Sequence, residues 1–282
     1  MVRSFSQLVR GRRLALTAVL LLVSCSDDDG GGPTGPQLQG RPVYAVTLDN
    51  RLLYFGSGAP GTIIRETEIT GLPAGARIVS IDFRPADGRL YGVGTDSRVY
   101  TINLTSAAAT AVGAAFAPAL TGTHFGLAFN PVVDLIRTSS SETEQNLRLD
   151  PSDGTVAAVD GNFAFAAGDA NEGANPSVAG LAYTNSTPGA ATTVAFGIDS
   201  NSDVVVMLAN PNSGILTTVG PLGVNTVPCA SMDIDASDGT AYVTLAEGGI
   251  TRLYSINLTT GGATLIGLID VDSEVQGIAI AP

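Results

Sequence analysis

All fourteen basic residues of this chain are Arg and it has a single His, so Asp, Glu, Asn and Arg must carry whatever chemistry it performs. One histidine cannot build a His-based zinc site, and a Ser-His-Asp triad would have only His124 to use. The first arrangement of interest is a pair of acids. Asp82 and Asp233 hold the third position of two matching tetrapeptides, SIDF at 80–83 and SMDI at 231–234. Sugar hydrolysis needs only two carboxyl groups a few ångström apart, so this pair is the candidate catalytic couple. Against it, such sites surround their acids with aromatic stacking surface, and the chain has no Trp and seven Tyr.

Two acidic stretches have the spacing of cation ligands. Asp199, Asn201 and Asp203 place oxygens at alternate positions, as the opening of a calcium loop does, without the following Gly or the distal Glu. They also lie where a hairpin must turn, and Asx turns use the same residues. Asp169, Asn171 and Glu172 sit in a loop longer than its connection requires, a usual place for a site. Both readings stay open for each stretch: calcium ligands, or side chains that satisfy their own backbone. A third constellation sets charge inside strands: Asp134 and Arg137, then Asn146 and Arg148. Arginine in a buried strand needs a carboxylate, which Asp134, Asp150 or Asp160 could supply, so the group reads as an ion-pair network or as a ligand pocket.

The elements that position these residues are set by repetition. The stretch 98–113 (RVYTINLTSAAATAVG) returns at 252–267 (RLYSINLTTGGATLIG) with nine of sixteen positions identical. Weaker copies lie between. The short apolar strands SIDF (80–83), GLAF (126–129), GLAY (180–183), SMDI (231–234) and GIAI (277–280) follow one another at 46, 54, 51 and 46 residues. That interval fits the four-stranded blade of a β-propeller. Runs of Val, Ile, Thr and Tyr bounded by Gly, Asp, Asn and Ser supply three more strands after each anchor. The expected fold is all-β: five four-stranded blades over residues 43–282. Nothing follows GIAI but Ala281 and Pro282, while 43–48, 51–55 and 63–69 read as three strands lacking a fourth, so the C-terminal strand joins the N-terminal blade and closes the ring. A further blade at 114–124 or 163–177 stays possible. Within each anchor, Ser80, Gly126, Gly180, Ser231 and Gly277 alternate with bulky residues, the signature of small-against-large packing between blades. Two positions before these small residues stand Ile78, His124, Val178, Cys229 and Val275, so His124 and Cys229 read as packing residues.

Residues 1–42 are of another kind. Arg3, Arg10, Arg12 and Arg13 precede the apolar run 14–23, which is a secretory signal too short to span a bilayer. Leu22-Val23-Ser24-Cys25 looks like the lipobox of bacterial lipoproteins, which implies lipidation of Cys25 and removal of residues 1–24. Multiple acyl chains would make a stable membrane anchor. Ser26 after the cysteine resembles residues that permit transfer to the outer membrane. Residues 25–42, rich in Gly, Pro and Asp, read as the lipidated cysteine and a flexible tether. The processed chain would carry ten basic and 26 acidic residues, net −16, which argues against nucleic acid and against an anionic membrane surface as partners.

The strings FNPVVDLIRTSSSETEQNLRLDPSDG (129–154) and GDANEGANPSVAGLAYTNS (168–186), with the LYSIN–T–G–AT–IG pattern of 253–267, resemble a bacterial domain-of-unknown-function family, number four-three-nine-four. The resemblance implies an exported propeller-like domain and transfers no catalytic role. The sequence therefore points to an outer-membrane lipoprotein whose propeller binds or scaffolds envelope proteins or glycans. The alternative is a cation-dependent hydrolase acting on extracellular carbohydrate or phosphate.

Overall fold

Turn residues set the rhythm of the chain. Hairpins close on residues with positive φ, among them Asn50 (66°), Ser97 (58°) and Asp203 (52°), conformations that Asn and Asp tolerate better than most residues. The structure is a computed structural model that describes residues 35–282, so Cys25 and the signal segment 1–24 lie outside the described residues.

The described residues form twenty-one strands in order. β1 (Pro42–Thr47), β2 (Arg51–Gly56) and β3 (Ile63–Glu68) belong to blade one. Blade two is β4 (Ile78–Phe83), β5 (Leu90–Gly94), β6 (Val99–Ile102) and β7 (Ala109–Val112). Blade three is β8 (Phe125–Asn130), β9 (Leu135–Ser140), β10 (Asn146–Leu149) and β11 (Val156–Val159). After the two-residue β12 (Ala164–Phe165), blade four contains β13 (Val178–Tyr183), β14 (Ala195–Asp199), β15 (Val204–Asn210) and β16 (Ile215–Pro221). Blade five is β17 (Ala230–Ile234), β18 (Ala241–Glu247), β19 (Ile250–Ile256) and β20 (Ala263–Leu268). The last strand, β21 (Val275–Ile280), pairs antiparallel with β1, Val43 opposite Ile280 and Ala45 opposite Ile278. Blade one is thus completed from both ends of the chain, and five blades form the ring. Residues 163–177 do not make a sixth blade: Ala164 and Phe165 lie parallel to β16 as a fifth strand of blade four, and 114–124 contains no strand.

The five anchor strands β4, β8, β13, β17 and β21 are innermost, each against its neighbours around the axis. All begin on one face of the ring, called here the N-face, and end on the other, the C-face. The core sits between blades as a series of seams. Tyr44, Val46 and Leu52 of blade one pack with Ile78, Ile81 and Leu90 of blade two, and Val43, Leu53 and Phe55 pack with Tyr242 and Leu253 of blade five. The small anchor residues are required by this closeness: a Cβ on Gly126 would stand 2.5 Å from the carbonyl oxygen of Ala179 in the next blade.

Candidate functional site

Asp82 and Asp233 stand at the C-face end of the innermost strands, where strand geometry explains their chemistry. An innermost strand is the edge of its sheet, so its axis-facing amides need partners outside the ladder. Asp82 Oδ2 accepts from the amide of Phe129 in blade three at 2.7 Å. Asp233 Oδ2 accepts from the amide of Ile280 in β21 at 2.6 Å, and its Oδ1 from the Ile234 amide at 2.7 Å. Ser231 repeats the device one step earlier, accepting from Ile278 at 2.9 Å. Each acid therefore ties its blade to the next, which accounts for the break in the small-residue pattern.

Both carboxyls border one cavity, closed by Arg84, Pro85 and the chain end at Pro282. Burial, and then the neighbouring charge of Asp233, push Asp82 well above the usual carboxylate range, against the amide bonds of Phe129 and Phe83. Burial raises Asp233 to about 7, opposed by the Ile280 and Ile234 amides and assisted by the charge of Asp235. Proton chemistry is therefore within reach of the pair, but the cavity measures about 30 Å³. A water needs roughly 10–15 Å³ of such space, so the cavity has room for water and not for a sugar ring.

The charged residues of blade three divide. Arg137, 2% exposed, donates through Nε to the Tyr183 hydroxyl at 2.8 Å, through one terminal nitrogen to Asp160 at 2.8 Å and to Asn146, and through the other to Asn212 at 2.8 Å. Arg148 meets both oxygens of Asp160, each at 2.9 Å. Arg137, Asn146 and Arg148 thus form one network around Asp160 and blade four, with Arg137's donors spent on protein groups. Asp134 is not part of it: it receives a two-pronged contact from Arg84 at 2.9 and 2.5 Å. Asp150 caps its own turn through Ser152.

The two acidic loops are mostly committed to protein partners, Asp199 Oδ2 being the one buried oxygen of theirs without one. Asp169 accepts from the Asn171 amide at 2.9 Å and from the Thr218 hydroxyl and amide at 2.6 and 2.7 Å. Burial alone would raise its carboxyl; these three bonds outweigh it and hold Asp169 below the usual range. Asn171 also bonds Thr218, while Glu172 turns to the Gly168 amide. Asp199 and Asp203 part company, the first accepting from Ser177 and the second from Thr226. Asn201 donates to the Asn175 carbonyl. Among the described residues no three His, Cys, Asp or Glu side chains converge as metal ligands.

The two slot residues differ from each other. Cys229 is a buried free thiol that burial, then Glu274, pushes up to about 12, where it is an inert packing group. His124 is half-buried rather than a core residue. Its Nδ1 lies 2.9 Å from the Thr123 hydroxyl and 3.3 Å from Glu142. Burial would raise Glu142, but hydrogen bonds from Thr123, followed by His124, hold it at about 2.

Sequence reasoning missed an open groove on the N-face of blade one, of about 550 Å³, lined by Thr47, Asp49, Arg51, Glu66, Asp270, Asp272 and Ser273. Arg51 pairs with Glu66, and Asp49 accepts from the Thr47 hydroxyl at 2.6 Å. The acids come from three separate hairpins and loops of the closing blade. The Asp270-Val271-Asp272 string just before β21 was the one local signal.

No curated protein matches the chain. A chain of a nidogen/laminin complex is similar over 86% of this chain and 98% of its own at 12% identity and a TM-score of 0.49. A protein of unknown function from Bacteroides caccae is similar over 86% and 100% at 11% identity and a TM-score of 0.43. One from Bacteroides thetaiotaomicron, also of unknown function, is similar over 84% and 58% at 14% identity and a TM-score of 0.48. At those values the architecture rests on the strand pairing described above. The profile of a domain of unknown function, DUF4394, matches residues 51–279, which span four strands of every blade but for β1, and the chain belongs to that family.

Proposed function

We propose that the protein is a binding module of the cell envelope, anchored through lipid on Cys25, with its propeller presenting the blade-one groove to a donor-rich ligand such as a glycan or an exposed segment of an envelope protein. The observation that carries the reading is the groove itself. Its volume of about 550 Å³ lies in the range of small-ligand sites, and its Asp49, Asp270 and Asp272 carboxylates and its hydroxyls are acceptors suited to sugar hydroxyls or amino groups. Export to the outer membrane and lipidation rest on the basic and apolar segment before Leu22-Val23-Ser24-Cys25. The hydrolase reading has one observation in its favour, the raised carboxyls of Asp82 and Asp233, and one against it, the water-sized cavity they border.

Titration calorimetry of the full-length chain against cell-wall oligosaccharides and cationic peptides tests the binding role. A ligand that loses at least about tenfold in affinity in Asp270→Asn with Asp272→Asn supports it. Binding unaffected by that double change, or none across the panel, removes the groove as the site. Turnover of an oligosaccharide abolished by Asp82→Asn would establish the hydrolase instead.

A further inference from the structure

Blades two and five are the two best copies of the repeat, and a difference between them singles out two arginines. The register of blade two sets Tyr91 of β5 beside Thr101 of β6, and Thr101 beside Thr110 of β7. Cross-strand partners project on one face of a sheet, so the three side chains form a row. Blade five repeats it as Tyr242, Ser255 and Thr264. The turn before each row is also the same. The Arg84 amide donates to the Arg89 carbonyl at 3.0 Å, and the Asp235 amide to the Thr240 carbonyl at 2.9 Å. Asp87 Oδ1 accepts from the Arg89 amide at 3.0 Å, as Asp238 Oδ1 does from the Thr240 amide at 2.8 Å. Blade five thus makes this turn with Asp235 and Thr240 where blade two has Arg84 and Arg89, so the turn requires neither arginine.

The protein nevertheless fixes both. Arg84 is spent: Nε and Nη2 go to Asp134, and Nη1 to Asp87 and the Tyr91 hydroxyl. Arg89 gives Nε and Nη2 to Asp87 at 2.9 and 2.7 Å, and Nη2 also reaches the Tyr91 hydroxyl at 3.0 Å. Its Nη1 meets no acceptor among the described residues, and its side chain is 60% exposed. One guanidinium is therefore held in a set orientation with two hydrogens free. It borders open space. A cavity of about 550 Å³ between blade two and the turn after β10 is lined by Arg84, Arg89, Tyr91, Thr101, Thr110 and Ser152. A second, of about 440 Å³, continues toward the turn after β6 and shares Arg89, Thr101 and Thr110 with the first. Both volumes lie in the range of small-ligand sites. Across the first cavity, Asp150 and Asp153 accept within their own turn from Ser152 and Thr155, which leaves Arg89 as the charged donor the groove presents.

We propose that this groove binds a carboxylated saccharide, a uronic acid whose carboxylate meets Arg89 Nη1 and whose ring hydroxyls meet Thr101 and Thr110. A guanidinium bonds a carboxylate more strongly than it bonds a neutral oxygen, because both partners are charged. A threonine hydroxyl donates and accepts, as a sugar hydroxyl does. The fit calls for an anion and alcohols on one small molecule, and a glutamate-rich peptide has only the first. The groove offers donors where the blade-one groove offers carboxylates, and it shares no residue with it, so either site can fail without the other.

Calorimetric titration of the full-length chain with trigalacturonic acid, its trimethyl ester and hexaglutamate tests the site. Trigalacturonate binds, and the uncharged ester binds at least about tenfold more weakly. Arg89→Thr, which installs the blade-five residue in the same turn, weakens trigalacturonate by at least about tenfold. Thr101→Val together with Thr110→Val weakens it by about threefold or more. Asp270→Asn with Asp272→Asn leaves it unchanged. The ester comparison uses the parent protein and decides the matter whatever the variants do. No binding of trigalacturonate, equal binding of acid and ester, or an affinity untouched by Arg89→Thr would overturn the site. Hexaglutamate binding as tightly as trigalacturonate, and lost in Arg89→Thr, would make the groove an acidic-peptide site and overturn the saccharide.

Discussion

The seam between blades three and four and the seam between blades five and one solve the same packing problem with different chemistry. Where the ring closes, the middle of the seam is apolar on both sides, Val43, Leu53 and Phe55 against Tyr242 and Leu253; Asp233 and Ser231 bond backbone amides of β21, and one ion pair, Arg41 with Asp235, sits at the C-face end. At the other seam, blade four offers Phe163, Leu181, Tyr183 and Leu208, whereas blade three answers with Ala128 and the polar face of β9. The contrast separates tolerance from specificity. An apolar seam degrades gradually as methyl groups are removed. A buried ion pair loses everything when one partner goes, because the other is left charged and unpaired.

Four measurements put that contrast to the test. Arg137→Ala leaves Tyr183, Asn146 and Asn212 without their buried donor and Asp160 with Arg148 alone, and lowers unfolding stability by roughly 5 kcal/mol, read from the urea midpoint. Replacing Arg137 by Met together with Asp160 by Leu returns most of that loss; a single-variant loss no larger than that of a surface arginine would show that the network does not hold the seam. Next comes pH. Asp233 has its folded value raised to about 7 from 3.8, so its contribution is complete below pH 3.8 and is lost as pH rises through 7. Between pH 4 and pH 8 the parent loses about 4 kcal/mol relative to Asp233→Asn; parallel pH profiles of the two proteins would refute the assignment. Leu253→Ala, in the apolar seam, costs roughly 3 kcal/mol with no dependence on pH over that range, and calorimetry at two pH values checks both parts. Smallest is Asp169→Ala, which forfeits the bonds to Thr218 and Asn171 for about 1 kcal/mol. Its unfolding midpoint shifts by the same amount with calcium as with chelator, if the loop is turn chemistry.

Much of the architecture was legible because repetition reports on itself. Nine identities between 98–113 and 252–267, and an anchor strand at each copy, suffice to count blades and to join the two chain ends. The role of Asp82 was not legible in the same way. Its partner is a backbone amide, that of Phe129, and amides carry no sequence signal. Nor could the chain say which carboxylate serves which arginine. Asp160 takes both Arg137 and Arg148, while Asp134, three residues from Arg137, pairs with Arg84, 50 residues away on the neighbouring blade. The groove of blade one was hidden for a related reason. Its acids are contributed by the turn after β1, by β3 and by the loop before β21, which meet only when the ring is closed.

Ring closure by β21 also imposes an order in time. The strand that completes blade one lies some 230 positions after the strand it pairs with, Pro42–Thr47. During synthesis, blades two to five can gather as each emerges, but β1 waits with one edge open until β21 has emerged. Assembly therefore ends with a single long-range event, the slowest kind of contact to form. A chain lacking β21 would remain an open arc with an unpaired, adhesive β1 edge.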